Sequence, residues 1–355
     1  MNDDEILFER SGGLGLVTLN RPKALNTLTL SMCRAFAAKL GAWRADPAIK
    51  AVLVRGAGDR AFCAGGDIVA IRNAHRGPAA ERDQSDFFRD EYTLIQAIHR
   101  FPKPYIALID GIAMGGGAGI SINGAMRVVT ERTVFAMPEL FIGLFPDVGA
   151  TRFLNLCPGR IGRYLALTGA RIKAGDALYA GLATHFIPAS KLAALSEELA
   201  SHPDEVDKVL ARFQETPEAG MMRVLRPAID RCFGGSTVET ILASLAREEG
   251  EWAKTALAAI GRAAPSSVKI TLAQLERGRG MSVEEALALE YRLTQHVLEH
   301  EDFFEGIRAL LIDKDQSPRW HHANVAAVSE AEVESYFVTL GARELRFPEM
   351  TGATS

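Results

Sequence analysis

Three runs in the first half of the chain, Ala51-Val-Leu-Val54, Tyr105-Ile-Ala-Leu-Ile109 and Val134-Phe-Ala-Met137, are apolar or aromatic at every position and do not alternate with polar residues. A strand of this kind needs cover on both faces, which is the situation of a parallel strand sandwiched between layers. Around these runs the pattern changes period. Residues 6–8 and 14–19 suit short strands around the turn Gly12-Gly13, whereas residues 28–45 carry Met32, Phe36, Leu40 and Trp43 at helical spacing. Strand alternating with helix predicts an α/β fold with a largely parallel sheet covered by helices. Residues 73–86 are polar, contain a Gly-Pro pair, and are expected to form a surface loop.

Beyond Pro188 the strand signal vanishes. Residues 191–199, 237–260, 283–298 and 330–340 look helical, with Ser282 and Glu285 forming a capping box for the third. The expected organisation is therefore a core over residues 1–190 and a mainly helical region over 191–355, a division that suits 355 residues. The last residues, 349–355, are expected to fray.

Charge narrows the function. Forty Lys and Arg against 44 Asp and Glu leave a net charge of −4, with no basic block, so a nucleic-acid partner is not expected. Four scattered cysteines, Cys33, Cys63, Cys157 and Cys232, make no C-x-x-C pair; neither a disulfide framework nor a thiolate metal site is expected. With an acidic start and no apolar run near the ~20 residues of a membrane helix, the expectation is a soluble, cytoplasmic protein.

The candidate chemistry lies in two glycine turns and a pair of carboxylates. Ala64-Gly-Gly-Asp67 and Met114-Gly-Gly-Gly-Ala-Gly119 each follow a strand. Glycines there leave backbone N–H groups open to an anion or to an oxyanion that forms during reaction, although either turn alone also suits a simple close approach of backbones. Neither matches a dinucleotide fingerprint or a P-loop. Glu139 and Asp147 sit eight residues apart in Gly/Pro-punctuated loops among Met137, Leu140, Phe141, Leu144 and Phe145. Apolar neighbours raise a carboxyl pKa toward acid–base use, while a partner can keep a second carboxylate ionised. The plainer alternatives are a solvated Glu139 and an Asp147 that caps a helix starting near Val148. His296-Val-Leu-Glu-His300 matches a zinc-protease pattern but lies in a Glu-rich run without a third ligand. Gly119-Ile-Ser121-Ile-Asn123 misses the last glycine of a nucleophile elbow.

Together these segments resemble the crotonase (enoyl-CoA hydratase/isomerase) superfamily, through Asn20-Arg-Pro-Lys-Ala-Leu-Asn26, Phe62-Cys-Ala-Gly-Gly-Asp67, the glycines from 111 to 119, and Met137-Pro-Glu139. Within it the chain is most similar to the 3-hydroxyisobutyryl-CoA hydrolase family. Phe88-Arg-Asp-Glu-Tyr92, Ile142-Gly-Leu-Phe-Pro-Asp-Val-Gly149, Leu165-Ala-Leu-Thr-Gly169, Ala183-Thr-His-Phe186, Asp302-Phe-Phe-Glu-Gly-Ile-Arg308 and Ser317-Pro-Arg-Trp320 carry that likeness nearly to the end. The resemblance implies a crotonase-like spiral of ββα turns with a mainly helical C-terminal region, and an acyl-CoA thioester as substrate. It places the oxyanion hole at Gly66 and Gly116, the acidic pair at Glu139 and Asp147, and further substrate contacts at Glu91, Ala64, Asp67 and Lys23. From the residues alone, Glu91 looks like a helix-surface glutamate and Lys23 suits a solvated loop as well as a phosphate contact. Hydratases of the superfamily carry a second glutamate where this chain has Gly119, and usually Pro-Gly where it has Pro146-Asp147. That exchange favours hydrolysis of a short 3-hydroxyacyl-CoA over hydration. Glu139 would act as nucleophile or as base toward water, with Asp147 orienting the 3-hydroxyl or the water. No metal or redox cofactor is implied, because coenzyme A belongs to the substrate. An enoyl-CoA hydratase or isomerase using Glu139 alone, and a non-catalytic acyl-CoA-binding protein, are the alternatives; trimers common in the superfamily leave a homo-oligomer open.

Overall fold

The structure, a computed structural model, describes residues 4–74 and 80–347. Among the described residues, nine strands form two sheets. β1 (Ile6–Ser11), β2 (Leu14–Leu19), β3 (Ala51–Gly56), β5 (Tyr105–Ile109), β7 (Met126–Val129) and β9 (His185–Phe186) make the large sheet in the order β1-β2-β3-β5-β7-β9. Only β1 and β2 pair antiparallel; every later neighbour is parallel. β4 (Ala61–Cys63), β6 (Ile112–Met114) and β8 (Val134–Ala136) make a small parallel sheet in the order β4-β6-β8. The chain therefore visits the large sheet, turns, visits the small sheet, and returns through a helix, three times over. This is the crotonase spiral.

The apolar strands are covered on both faces, as their composition requires. In β3, Val52 and Val54 face the main core with Phe36, Leu40 and Trp43, while Ala51 and Leu53 face a second cluster on the opposite side. The same split divides Tyr105, Ala107 and Ile109 from Ile106 and Leu108 in β5. The opposite face is covered by the helices Leu192–Ser201 and Val206–Phe213, through Leu195, Leu199, Val209 and Leu210. A third cluster, built on Ile229, Phe233, Ile241 and Ile260, joins the later helices to Leu140 and Leu167. Burying a leucine or phenylalanine in such cores contributes about 1.5–3 kcal/mol each.

Several local expectations are corrected. Residues 73–86 are not one loop: Asn73 and Ala74 end the helix Ile68–Ala74, and from Ala80 the chain is already in the helix Ala80–His99, because a polar run rich in Glu, Arg and Ala supports an amphipathic helix as readily as a loop. Residues 75–79 lie outside the described residues. The stretch 237–260 is two helices, Val238–Leu245 and Glu251–Arg262, parted at Gly250 with φ of 108°. The helix expected at 330–340 stops at Ser335. The capping box predicted at Ser282 is present, with the Ser282 side chain accepting from Glu285 N and the Glu285 carboxylate accepting from Ser282 N. The expected fraying at 349–355 falls outside the described residues, as do residues 1–3. Among the described residues no helix is long and apolar enough to cross a membrane.

Candidate active site

The three strands of the small sheet run parallel, so their C-terminal ends lie together, the usual place for a ligand in a parallel sheet. β4 ends at Cys63 and runs into Ala64–Asp67. β6 ends at Met114 and runs into Gly115–Gly117. β8 ends at Ala136 and delivers Met137-Pro-Glu139. Leu28 brackets Gly66: its N–H bonds Gly65 O at 2.8 Å and its carbonyl accepts from Asp67 N at 2.8 Å, which turns the Gly66 N–H to the other side. Gly116 opens the helix Gly116–Ile122, so its N–H has no acceptor within that helix. The two turns touch, since a Cβ built on Gly116 would stand 3.3 Å from Gly66 N.

A cavity of about 730 Å³ opens at this point. Gly66, Gly116, Glu139, Asp147, Glu91, Ala64, Asp67 and Lys23 all line it. Its mouth also carries Arg171 and Lys314, both exposed like Lys23. Asp67 has both oxygens engaged, accepting from Arg21 Nη2 at 2.9 Å and from Ala70 N at 3.2 Å. Glu91 corrects the residue-level reading. It is no surface glutamate but is buried at 2% exposure, with Oε1 2.2 Å from where a Cβ of Gly116 would stand. The helix Ala80–His99 turns that face inward because Phe87, Phe88, Tyr92 and Ile95 anchor it in the core.

Burial dominates the electrostatics. Glu139 and Asp147 are 6% and 4% exposed, and neither Glu91 Oε1 nor Glu139 Oε2 has a hydrogen-bond partner among the described residues. Desolvation, followed by the nearby Asp147 charge, lifts both Glu139 and Glu91 well above the usual carboxyl range. Asp147 rises less, to about 6, because burial is opposed by the Tyr92 hydroxyl, which donates to Asp147 Oδ2 at 2.6 Å. The Asp147 charge thus raises both neighbours, and the three carboxyls titrate as a group rather than one by one.

Asp147 does not cap a helix with its side chain. The next helix is Ala150–Phe153, and its Ala150 N bonds the Asp147 backbone carbonyl at 2.9 Å. Between them Val148 has φ of 56°, a conformation that costs a β-branched residue on the order of 1–3 kcal/mol. Its side chain lies over Gly119. A Cβ on Gly119 would meet Val148 Cβ at 2.6 Å and Ile95 Cδ1 at 2.8 Å, so no side chain fits at position 119.

Sequence reasoning missed three contributors. Tyr92 ends the segment Phe88-Arg-Asp-Glu-Tyr92, and nothing local marks its phenol as a partner of Asp147. Glu290 and Gln274, from the helices Val283–Val297 and Pro265–Arg277, reach the Asp147 loop across 128 to 141 residues; the signal available was a glutamate and a glutamine on otherwise apolar helix faces. The two decoys separate cleanly. His296 ends one helix and bonds Val338 O at 2.9 Å, while His300 precedes the next and packs on Tyr336, so they share no helix face. Ser121 is inside the helix Gly116–Ile122, bonded to Gly117 O at 2.7 Å.

A family described as enoyl-CoA hydratase/isomerase matches residues 14–337. The rat protein "3-hydroxyisobutyryl-CoA hydrolase, mitochondrial" is 45% identical, covering 97% of this chain and 91% of its own; the human protein of that name is 43% identical over the same shares. Among solved structures, an enoyl-CoA hydratase from Rhodobacter sphaeroides 2.4.1 is 40% identical with a TM-score of 0.92, covering 97% of this chain and all of its own. A carnitinyl-CoA dehydratase from Mycobacterium thermoresistibile is equally similar, at 40% and 0.92, covering 98% of this chain and all of its own.

Proposed function

The chain belongs to the enoyl-CoA hydratase/isomerase family, and from that premise we propose that it is a thioester hydrolase that converts 3-hydroxyisobutyryl-CoA to 3-hydroxyisobutyrate and coenzyme A. The observation that carries this reading is the exchange of carboxylates around the cavity. Asp147 lines it beside Glu139, while position 119, where the superfamily's hydratases place their second glutamate, is sealed by Val148. A pair of glutamates delivering water across a double bond has no room here. A thioester carbonyl between the two glycine turns does.

In this scheme the carbonyl oxygen rests on the Gly66 and Gly116 N–H groups, each such donor being worth about 3 kcal/mol as charge develops on it. Burial raises both carboxyls, Glu139 well above the usual range, so Glu139 has to give up a proton before it can act. As nucleophile, the Glu139 carboxylate forms a C–O bond to the acyl carbon, the C–S bond breaks, and coenzyme A leaves as thiolate and takes up the proton given up by Glu139. Water then cleaves the anhydride: its oxygen bonds the acyl carbon as the acyl C–O bond to Glu139 breaks, and its two protons leave Glu139 protonated, as at the start, and the product as the free acid. As base, Glu139 instead takes a proton from the attacking water. In either route Asp147 orients the 3-hydroxyl or the water. Glu91 meets the acyl group near Gly116, Ala64 and Asp67 border the coenzyme A arm, and Lys23 faces its phosphates together with Arg171 and Lys314. The chemistry needs neither a metal nor a redox group.

The two curated relatives carry "mitochondrial" in their names. For this chain we propose the cytoplasm, a reducing setting suited to four buried free cysteines, and the product acid fits degradation of valine; a homo-oligomer is a further proposal, tested by sedimentation. The deciding experiment follows thiol release from 3-hydroxyisobutyryl-CoA beside hydration of crotonyl-CoA. Thiol release without hydration, lost in Glu139→Gln by about a thousandfold or more, supports the hydrolase. Hydration without thiol release refutes it and returns the chain to its hydratase relatives. Binding of both thioesters with no turnover would mark a non-catalytic acyl-CoA-binding protein.

A further inference from the structure

A loop that holds a β-branched residue at positive φ does so only if its surroundings dictate the conformation. Around Val148 they do. Glu290, wholly buried on the helix Val283–Val297, accepts Gly149 N with Oε2 at 2.7 Å and Thr151 N with Oε1 at 2.8 Å. Gln274, wholly buried on the helix Pro265–Arg277, donates from Nε2 to Pro146 O at 2.7 Å and to Thr151 Oγ1 at 2.8 Å. Asn123 Nδ2 donates to Val148 O at 3.0 Å. The peptide groups between residues 146 and 147 and between 148 and 149 are thereby tied down from outside the loop. Glu290 and Gln274 line no part of the cavity, so their reach to the reaction runs through the loop alone.

We propose that Glu290 and Gln274 are positioning residues for thioester hydrolysis: from the C-terminal helices they lock Val148 in its left-handed conformation and so aim Asp147 into the cavity. This assigns the helical region a part in the reaction beyond covering the sheet. The residue types suit the task. A carboxylate can accept two backbone N–H groups at once, whereas glutamine at 290 would turn an NH2 toward one of them and leave a buried donor without an acceptor. Gln274 offers the matching donors to a carbonyl and a hydroxyl. The proposal rests on the reading of Asp147 as a working carboxylate.

The test is a double-mutant cycle on the full chain, read as steady-state thiol release from 3-hydroxyisobutyryl-CoA. Glu290→Gln should lower kcat by roughly ten- to a hundredfold, the scale of an ångström-sized misplacement of a reacting group, with KM within about threefold. In an Asp147→Asn background the same substitution should cost less than about twofold more, because the residue it positions is already disabled. Gln274→Met is the second, independent arm, and carries the cycle if Glu290→Gln does not fold. Losses that multiply in both backgrounds, or a KM that rises as far as kcat falls, would mean a purely structural role and overturn the proposal. Full thiol release by Asp147→Asn alone would identify a different failure, that of the reading of Asp147, and would remove the proposal with it.

Discussion

Replacing Tyr92 by phenylalanine deletes one oxygen, the one that donates to Asp147 Oδ2 at 2.6 Å in a site where both residues are buried. A hydrogen bond to a charged acceptor contributes about 1.5–3 kcal/mol, which corresponds to roughly one to two pKa units at about 1.4 kcal/mol each. Asp147, held at about 6 with the hydroxyl in place, should therefore titrate between about 7 and 8 without it. The assay is the pH dependence of kcat/KM for thiol release. If Asp147 must be ionised, the acidic limb moves up by one to two units, the rate at pH 6 falls about five- to fiftyfold, and the rate at pH 9 stays within about twofold of the parent. The shape matters more than the size. An acidic limb that stays in place while the rate falls evenly at every pH would show that Tyr92 does not govern the ionisation of Asp147, and would refute the assignment of that limb to it.

Three further outcomes test the site. Gly119→Ala puts a Cβ 2.6 Å from Val148 Cβ, so it should destabilise the fold by about 1–3 kcal/mol in chemical denaturation and lower kcat through the displaced loop; an unperturbed, fully active variant would sink the interlock. Gly116→Ala puts a Cβ 2.2 Å from Glu91 Oε1, and thiol release should fall at least tenfold, on the scale of a lost oxyanion donor, while unchanged kcat would argue against a hole at that glycine. Asp147 has a folded pKa raised above its unfolded value of 3.8, so its favourable contribution is complete below pH 3.8 and is lost as pH rises through about 6. Asp147→Asn should therefore stabilise the protein by up to about 3 kcal/mol at pH 7.5 and by nothing near pH 3.5. A gain that does not depend on pH would contradict that account.

How far the chain could be read in advance depended on the distance between cooperating residues. The fully apolar runs at 51–54 and 105–109 led directly to strands buried on both faces, since that pattern has few other solutions. The two glycine turns were legible because each follows its own strand within a few residues, while the choice of Gly66 and Gly116 within them rests on the family resemblance. The burial of Glu91 was not legible. One polar residue on a helix takes its exposure from what the helix packs against, and only the core contacts of Phe88 and Tyr92 turn it inward. The His296/His300 pattern failed for a related reason, because the helix that spacing presumes ends at Val297.

The sequence by itself determined the alternation of strand and helix, the capping box at Ser282, the two glycine turns, and the presence of two carboxylates after the third strand of the small sheet. These depend on local periodicity, on backbone that only glycine leaves open, and on short-range hydrogen bonds. Tertiary structure alone decided that burial raises these carboxyls, that Glu91 Oε1 and Glu139 Oε2 have no hydrogen-bond partner among the described residues, and why position 119 admits no side chain. Those outcomes come from desolvation and from contacts between residues far apart along the chain. Tyr92 meets Asp147 across 55 positions, and Glu290 reaches Gly149 across 141. No periodicity encodes such meetings, because the energy that places them is spread over the packing of the whole fold.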